Sequence, residues 1–243
     1  MTHAAAACTI LLALNLHLGT QVSEHASYDD RIAWVLPPDK LAAFARSGVV
    51  IDEDVRTTIV AHATADSLSH GLAGLHGTIF KQTTDVPRHR TQATLDDFTT
   101  TLTPHNEPLP AEKLDIEEAP MIALPQSHLC TGETWETRLP VITTLGSGTA
   151  TIRHTLAGVR DGIAQIDVQG SGVISGMEYN LPRLLPGSIA IRGTAWFDLA
   201  RGFLREESFV IDDRLLRTVK GKTIGFKETE TVDESESAVR PAP

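Results

Sequence analysis

From Thr149 to Ile211 the chain alternates apolar and polar residues with period two, and turns of two or three residues separate several of the runs. Few folds accept that pattern. Period two places successive side chains on opposite faces of a strand, and very short connections can join only antiparallel neighbours. In the first run Ala150, Ile152 and Leu156 oppose Thr151, Arg153 and Thr155, and Arg160-Asp161-Gly162 forms a hairpin turn because glycine accepts positive φ. The return run places Ala164, Ile166 and Val168 inward and Gln165, Asp167 and Gln169 outward. A third strand, Ser188 to Leu199, sets Ile189, Ile191, Ala195 and Phe197 against Arg192, Thr194, Trp196 and Asp198. Ala200-Arg201-Gly202 then turns into a fourth, Phe203 to Ile211. A fifth, Leu215 to Lys227, contains Gly221 and Gly225, which predict a bulge or bend. The expected fold is mainly β: a curved antiparallel meander forming an open or half-closed barrel with one or two short helices, clearest over residues 145–227.

The first half is less regular. Arg31 to Leu36 reads as a short strand stopped by Pro37-Pro38, and Asp39 as the cap of a short helix, Lys40 to Ser47, closed by Gly48 with Leu41 and Phe44 toward the core. Val49 to Ile51, Arg56 to Ala63 and Gly74 to Gln82 read as strands. Thr94 to Leu102 is ambiguous, with Leu95, Phe98 and Leu102 at helical spacing among strand-favouring threonines. Ala111 to Glu118 reads as a helix ended by Pro120.

A length of 243 residues suits one large β domain, here residues 27–227. Residues 1–26 keep two readings. Ala4 to Leu14 is apolar like a signal-peptide core, yet no Lys or Arg precedes it, Asn15 and His17 interrupt its end, and no small-residue pair marks a cleavage site. Ala6-Ala7-Cys8 resembles a lipoprotein box with its apolar stretch on the wrong side. Alternatively Ile10, Leu12, Leu14, Leu16 and Leu18 line one face of a first strand or other core element. The run is too short to span a bilayer. Residues 228–243 carry much of the net charge of −10 and read as an acidic, disordered tail. The negative balance argues against nucleic-acid partners, and no Lys/Arg cluster offers an anionic membrane a docking point.

Chemical motifs are sparse. Gly170 to Gly176 has the wrong spacing for a dinucleotide loop and reads as a glycine-rich bend in a curved sheet. The chain lacks a Walker-type loop and a Gly-x-Ser-x-Gly elbow. Of ten histidines only His128-x-Cys130 brings two ligand types close, without a second pair at zinc spacing. His62, His70 and His76 have no carboxylate evidently placed to orient them. Asp52-Glu53-Asp54 and Glu117-Glu118 read as loop and helix-end charge, and Cys130 as a lone, partly buried thiol. No catalytic residue, metal ligand or cofactor site is expected, and the chain reads as non-enzymatic.

The segment Leu124-Pro125 through Gly132-Glu133-Thr134-Trp135 resembles a phrase of bacterial secreted and lipoprotein-type families of unknown function, in which it leads into an antiparallel meander. Thr155 to Ile166 and Gly193 to Leu204 fit the same pattern, so the resemblance covers Ala123 to Phe209. It implies a curved half-barrel of broadly lipoprotein-carrier type and a periplasmic or secreted location. The matching function is binding of a lipid-like or other apolar small molecule, with Ile152, Ile166, Val168, Ile189, Ile191 and Phe197 as pocket candidates. Two rivals stay open: a scaffold module with a protein partner, and an unrecognised hydrolase.

Overall fold

The computed structural model describes residues 10–48, 52–106, 108–109, 122–177 and 184–240. Among them the chain forms a helix, α1 (Pro38–Arg46), and eleven strands. These are β1 (Gln21–Val35), β2 (Glu53–Ser69), β3 (Leu72–Asp85), β4 (Arg90–Leu102), β5 (Pro108–Leu109), β6 (Thr134–Ile142), β7 (Ser147–Arg160), β8 (Ile163–Met177), β9 (Leu184–Asp198), β10 (Phe203–Val219) and β11 (Lys222–Val239). One antiparallel sheet holds them all in the order β5-β4-β3-β2-β1-β11-β10-β9-β8-β7-β6. This is the open, curved meander expected. Two meanders, β1 to β5 and β6 to β11, are joined back to back where β1 pairs with β11, and the sheet is not closed into a barrel.

The hairpin chemistry holds locally. Asp161 and Gly162 take φ of 51° and 78°, and Gly202 takes 72°. Asp198 accepts backbone N–H bonds from Ala200 at 3.0 Å and Arg201 at 2.9 Å, pinning the β9–β10 turn. Glycine also serves curvature inside the strands. A Cβ on Gly193 would overlap the Ser208 carbonyl and the Phe209 ring, so the ring packs directly on β9 backbone.

Several expectations are corrected. Lys220 and Gly221, at φ of 49° and 74°, form a full hairpin, so the fifth strand is really the end of β10 and the start of β11. The acidic tail is strand through Val239, paired with β1 on one side and β10 on the other. Pairing on both sides orders it, and its side chains alternate: Lys227, Thr229, Asp233 and Ser235 face water, while Phe226, Glu228, Glu230 and Val232 are buried. Thr94 to Leu102 belongs to β4, where pairing with β3 decides in favour of the threonines. Helix α1 begins after Pro37, with Asp39 in its first turn rather than at its cap. Phe44 reaches Trp34 at 6.4 Å between ring centroids, and Trp34 in turn meets Phe226 edge-on at 4.7 Å. The Val49–Ile51 strand and the Ala111–Glu118 helix lie outside the described residues.

Ile10 to Leu18 is not a strand. Its one ladder contact is the bridge between Ile10 and Leu129. The segment acts as a strap across one end of the sheet. Leu14 N–H donates to Pro104 O (2.8 Å), Asn15 N–H to Gly202 O (2.8 Å) and Gly19 N–H to Ala65 O (2.7 Å), while Leu12 is fully buried. Residues 122–129 lie against the same end, where Leu124 N–H donates to His105 O at 2.7 Å. Strand irregularities between Ala65 and Ser67, Leu156 and Gly158, and Leu204 and Glu206 fall at this end as well. Such bulges sharpen twist, which helps the sheet curl beneath the strap.

Candidate binding site inside the curled sheet

The core has two unlike parts. Inward positions of β7, β8 and β9 are apolar apart from His154, and Ile152, Ile166, Val168, Ile189, Ile191 and Phe197 are all buried within one contiguous cluster. These six pocket candidates therefore sit together but pack against one another. Neither the groove over β1 to β4 nor the cavity under the strap touches any of them.

The inward face of β10, β11 and β1 sets acids among apolar residues such as Phe209, Ile211, Leu215, Phe226 and Val232. Cross-strand pairs set Glu24 opposite Glu236, Asp30 opposite Glu230, Glu207 opposite Glu234 and Asp213 opposite Glu228. Strict alternation along β11 puts Glu228, Glu230, Glu234 and Glu236 on this one face, interrupted by Val232. Near the strapped end, one carboxylate oxygen each from Glu24, Glu234 and Glu236 lies within 4.8 Å of the others. Two ionised carboxylates at that separation repel by roughly 3–4 kcal/mol at an effective dielectric constant near 20.

Burial, reinforced by this repulsion, raises every member of the group. Glu234 is pushed up to about 8 by burial and then by Glu24. Glu236 and Glu207 stand well above the ordinary carboxylate range, burial again first and the neighbouring glutamates second. Glu24 is raised by burial. Glu207 is only 6% exposed, and its Oε1 has no hydrogen-bond partner.

Toward the other end, Asp213 and Glu228 form a second buried pair. The Thr143 hydroxyl, from the β6–β7 turn, donates to Asp213 Oδ2. Burial and the facing Asp213 carboxylate push Glu228 up to about 10, so it carries a proton at neutral pH and can donate to Asp213. Protonated acids of this kind can donate hydrogen bonds, and ionised ones can hold a cation. None of these residues was a candidate in the sequence. The missed signal was period-two spacing of Glu between Thr and Ser from Glu228 to Glu236, which composition alone disguises as a solvated tail.

Cys130 is disulfide-bonded rather than a free thiol. The other cysteine of the chain, Cys8, lies outside the described residues. His128 is exposed and His62 bonds Ser23 at 2.9 Å. His76 does have an orienting carboxylate, Asp66 at 3.0 Å, which the β2–β3 pairing supplies from ten residues away. Trp135 anchors β6, donating from Nε1 to Ala123 O at 2.7 Å and stacking on the buried His154 ring at 5.0 Å.

Two cavities flank the acidic group. One of about 690 Å3 includes Val22, Ser23, His62, His76, Asp97 and Phe98 in its lining, a groove of mixed polarity over β1 to β4. The other, about 370 Å3, lies under the strap. Leu16, Phe203 and Ala238 supply apolar walls, and Arg201 and Arg240 supply charge. Ala238 is the next inward position after Glu236. No helix among the described residues is long and apolar enough to cross a membrane.

No family model and no curated protein matches the chain. Among solved structures it is similar to the outer membrane protein OpdK of Pseudomonas aeruginosa, at 5% identity and a TM-score of 0.27 over 90% of this chain and 99% of that one. It is also similar to a mutant form of the Rh. blastica porin, at 6% identity and a TM-score of 0.27 over 90% and 100% of the two chains. Likenesses this slight carry no functional argument.

Proposed function

We propose that this chain is a non-enzymatic binding protein that takes a small amphipathic ligand beneath the strap, at the end of the curled sheet. The observation that carries this reading is the 370 Å3 cavity, which joins apolar walls from Leu16, Phe203 and Ala238 to two guanidinium groups. Its volume falls at the small end of ordinary ligand sites. Arg240 Nη2 donates to Arg201 O at 3.1 Å, which fixes one cation at the mouth. An apolar body with an anionic head suits that lining. The ligand position differs from the one suggested by the apolar stripes, whose side chains are occupied with each other. A periplasmic or secreted setting accords with the resemblance around Trp135 and with the disulfide at Cys130, since disulfides persist in oxidising compartments.

The test is native mass spectrometry of the full chain after incubation with a medium-chain fatty acid. One adduct per chain is expected, and its loss in a R201A/R240A variant that stays folded. A wild-type chain that remains free of adduct would sink the reading.

A second reading, a protein-binding module, has its own observation. Phe80 and Leu95 are paired across β3 and β4, are 38% and 71% exposed, and lie beside Val60 on the outward face. Light scattering of wild type and L95S would reveal any self-association through this patch.

A further inference from the structure

We propose that Glu24, Glu234 and Glu236 form a calcium site inside the sheet, with Glu207 directed at the same ion from β10. The inference shares no residue with the amphiphile cavity and does not rest on that reading. The β1–β11 ladder sets Glu24 against Glu236, and the β10–β11 ladder sets Glu207 against Glu234, so four carboxylates from three strands converge on one face. Oxygens of Glu24, Glu234 and Glu236 already lie within 4.8 Å of one another, close enough to share an ion after small rotamer changes.

Glu207 supplies the independent observation. It is nearly fully buried, lies directly opposite Glu234 across the β10–β11 ladder, and keeps Oε1 without a hydrogen-bond partner. A buried carboxylate oxygen left unsatisfied is costly, and a cation beside it would remove the cost. Among the described residues no Lys, Arg or His is ion-paired with any of the four. Protein cations therefore do not neutralise the group.

The donor set selects the ion. It is all oxygen, without imidazole or thiolate, which favours hard cations over zinc or copper. Calcium accepts six to eight oxygens in irregular geometry, with carboxylates binding singly or in pairs. Magnesium demands a near-ideal octahedron and keeps its waters. Three half-buried glutamates leave water access for the remaining positions. The alternative is that the four acids stay protonated and bind nothing, and the two cases separate cleanly.

The experiment is isothermal titration of calcium chloride into the chelator-stripped full chain at pH 8, without amphiphile. One ion per chain is expected. In E234Q/E236Q the affinity should fall at least a hundredfold while circular dichroism stays native; these changes remove repulsion, so the variant should fold. E206Q, at the exposed outward position beside Glu207, should bind as wild type does. A folded wild-type chain that takes up no calcium at millimolar concentration would overturn the site. So would undiminished binding by E234Q/E236Q, or displacement of calcium by an equal concentration of magnesium.

Discussion

Strands β7 to β9 and strands β10, β11 and β1 are built on the same pleat, yet their inward faces are opposites. Apart from His154 the first group is filled with Ile, Leu, Val, Ala and Phe, whereas the second sets glutamate and aspartate among Phe209, Ile211, Phe226 and Val232. In the first, packing and hydrogen-bond ladders agree. In the second, the ladders hold the strands together while the side chains beneath oppose their own burial. Antiparallel pairing can therefore tolerate a buried acidic face when both neighbouring ladders are long. The β1–β11 ladder runs from Gln21 opposite Val239 to Val35 opposite Gly225. Order in the apolar flank is largely indifferent to solution conditions, whereas order in the acidic seam is open to protons and cations.

The sharpest break between the two regions should come from truncation in the flank. Phe197→Ala should lower stability by about 3–5 kcal/mol, because the side chain is packed rather than bordering a void. Urea unfolding measures this, and a loss under about 1 kcal/mol would mean that Phe197 faces empty space.

The seam should respond in the opposite direction. Glu24, Glu207, Glu228, Glu234 and Glu236 have folded pKa values raised above the unfolded ones, so the stability they favour is present below about pH 4.5 and is lost as pH climbs. Cation-free protein should lose stability from pH 4.5 through about 8, where Glu234 ionises, and on toward 10 with Glu228. Glu234→Gln should accordingly raise stability by about 1–3 kcal/mol at pH 9 and leave it nearly unchanged at pH 4.5. Denaturant titrations at the two pH values decide this, and equal effects at both would remove the seam's special status.

The smallest effect probes a feature the flank owes to turn chemistry. Gly162→Ala, at φ of 78°, should cost about 1 kcal/mol and lower the melting temperature by about 2–4 °C, read by calorimetry.

The apolar flank was legible in the sequence because both of its signals are local. Alternation marks the faces, and Asp161-Gly162 or Asp198 with Gly202 marks the turns. The seam was not legible, because what orders it is a pairing between residues such as Ser27 and Asp233, 206 positions apart. Glutamates every second residue fit an exposed tail and a buried strand equally well until the partner strand is known. The strap was half legible: Leu12 does enter the core, but the hydrogen bonds that tie it down come from Pro104, Gly202 and Ala65. His76 and Asp66 were missed for the same reason, being close only across a hairpin.

The pairing of β1 with β11 has a consequence for synthesis. At roughly 5–20 residues per second, β1 is made some 10–40 s before the strand that will cover its edge. For that interval β1 can be sheltered on one side by β2 alone, as an exposed template for pairing with other nascent chains. Its sequence, with Glu24, Asp29, Asp30 and Arg31, is poorly suited to such recruitment, because a second copy would bring like charges together. The acids that burden the finished seam would thus act earlier as gatekeepers, discouraging aggregation until the last strand arrives.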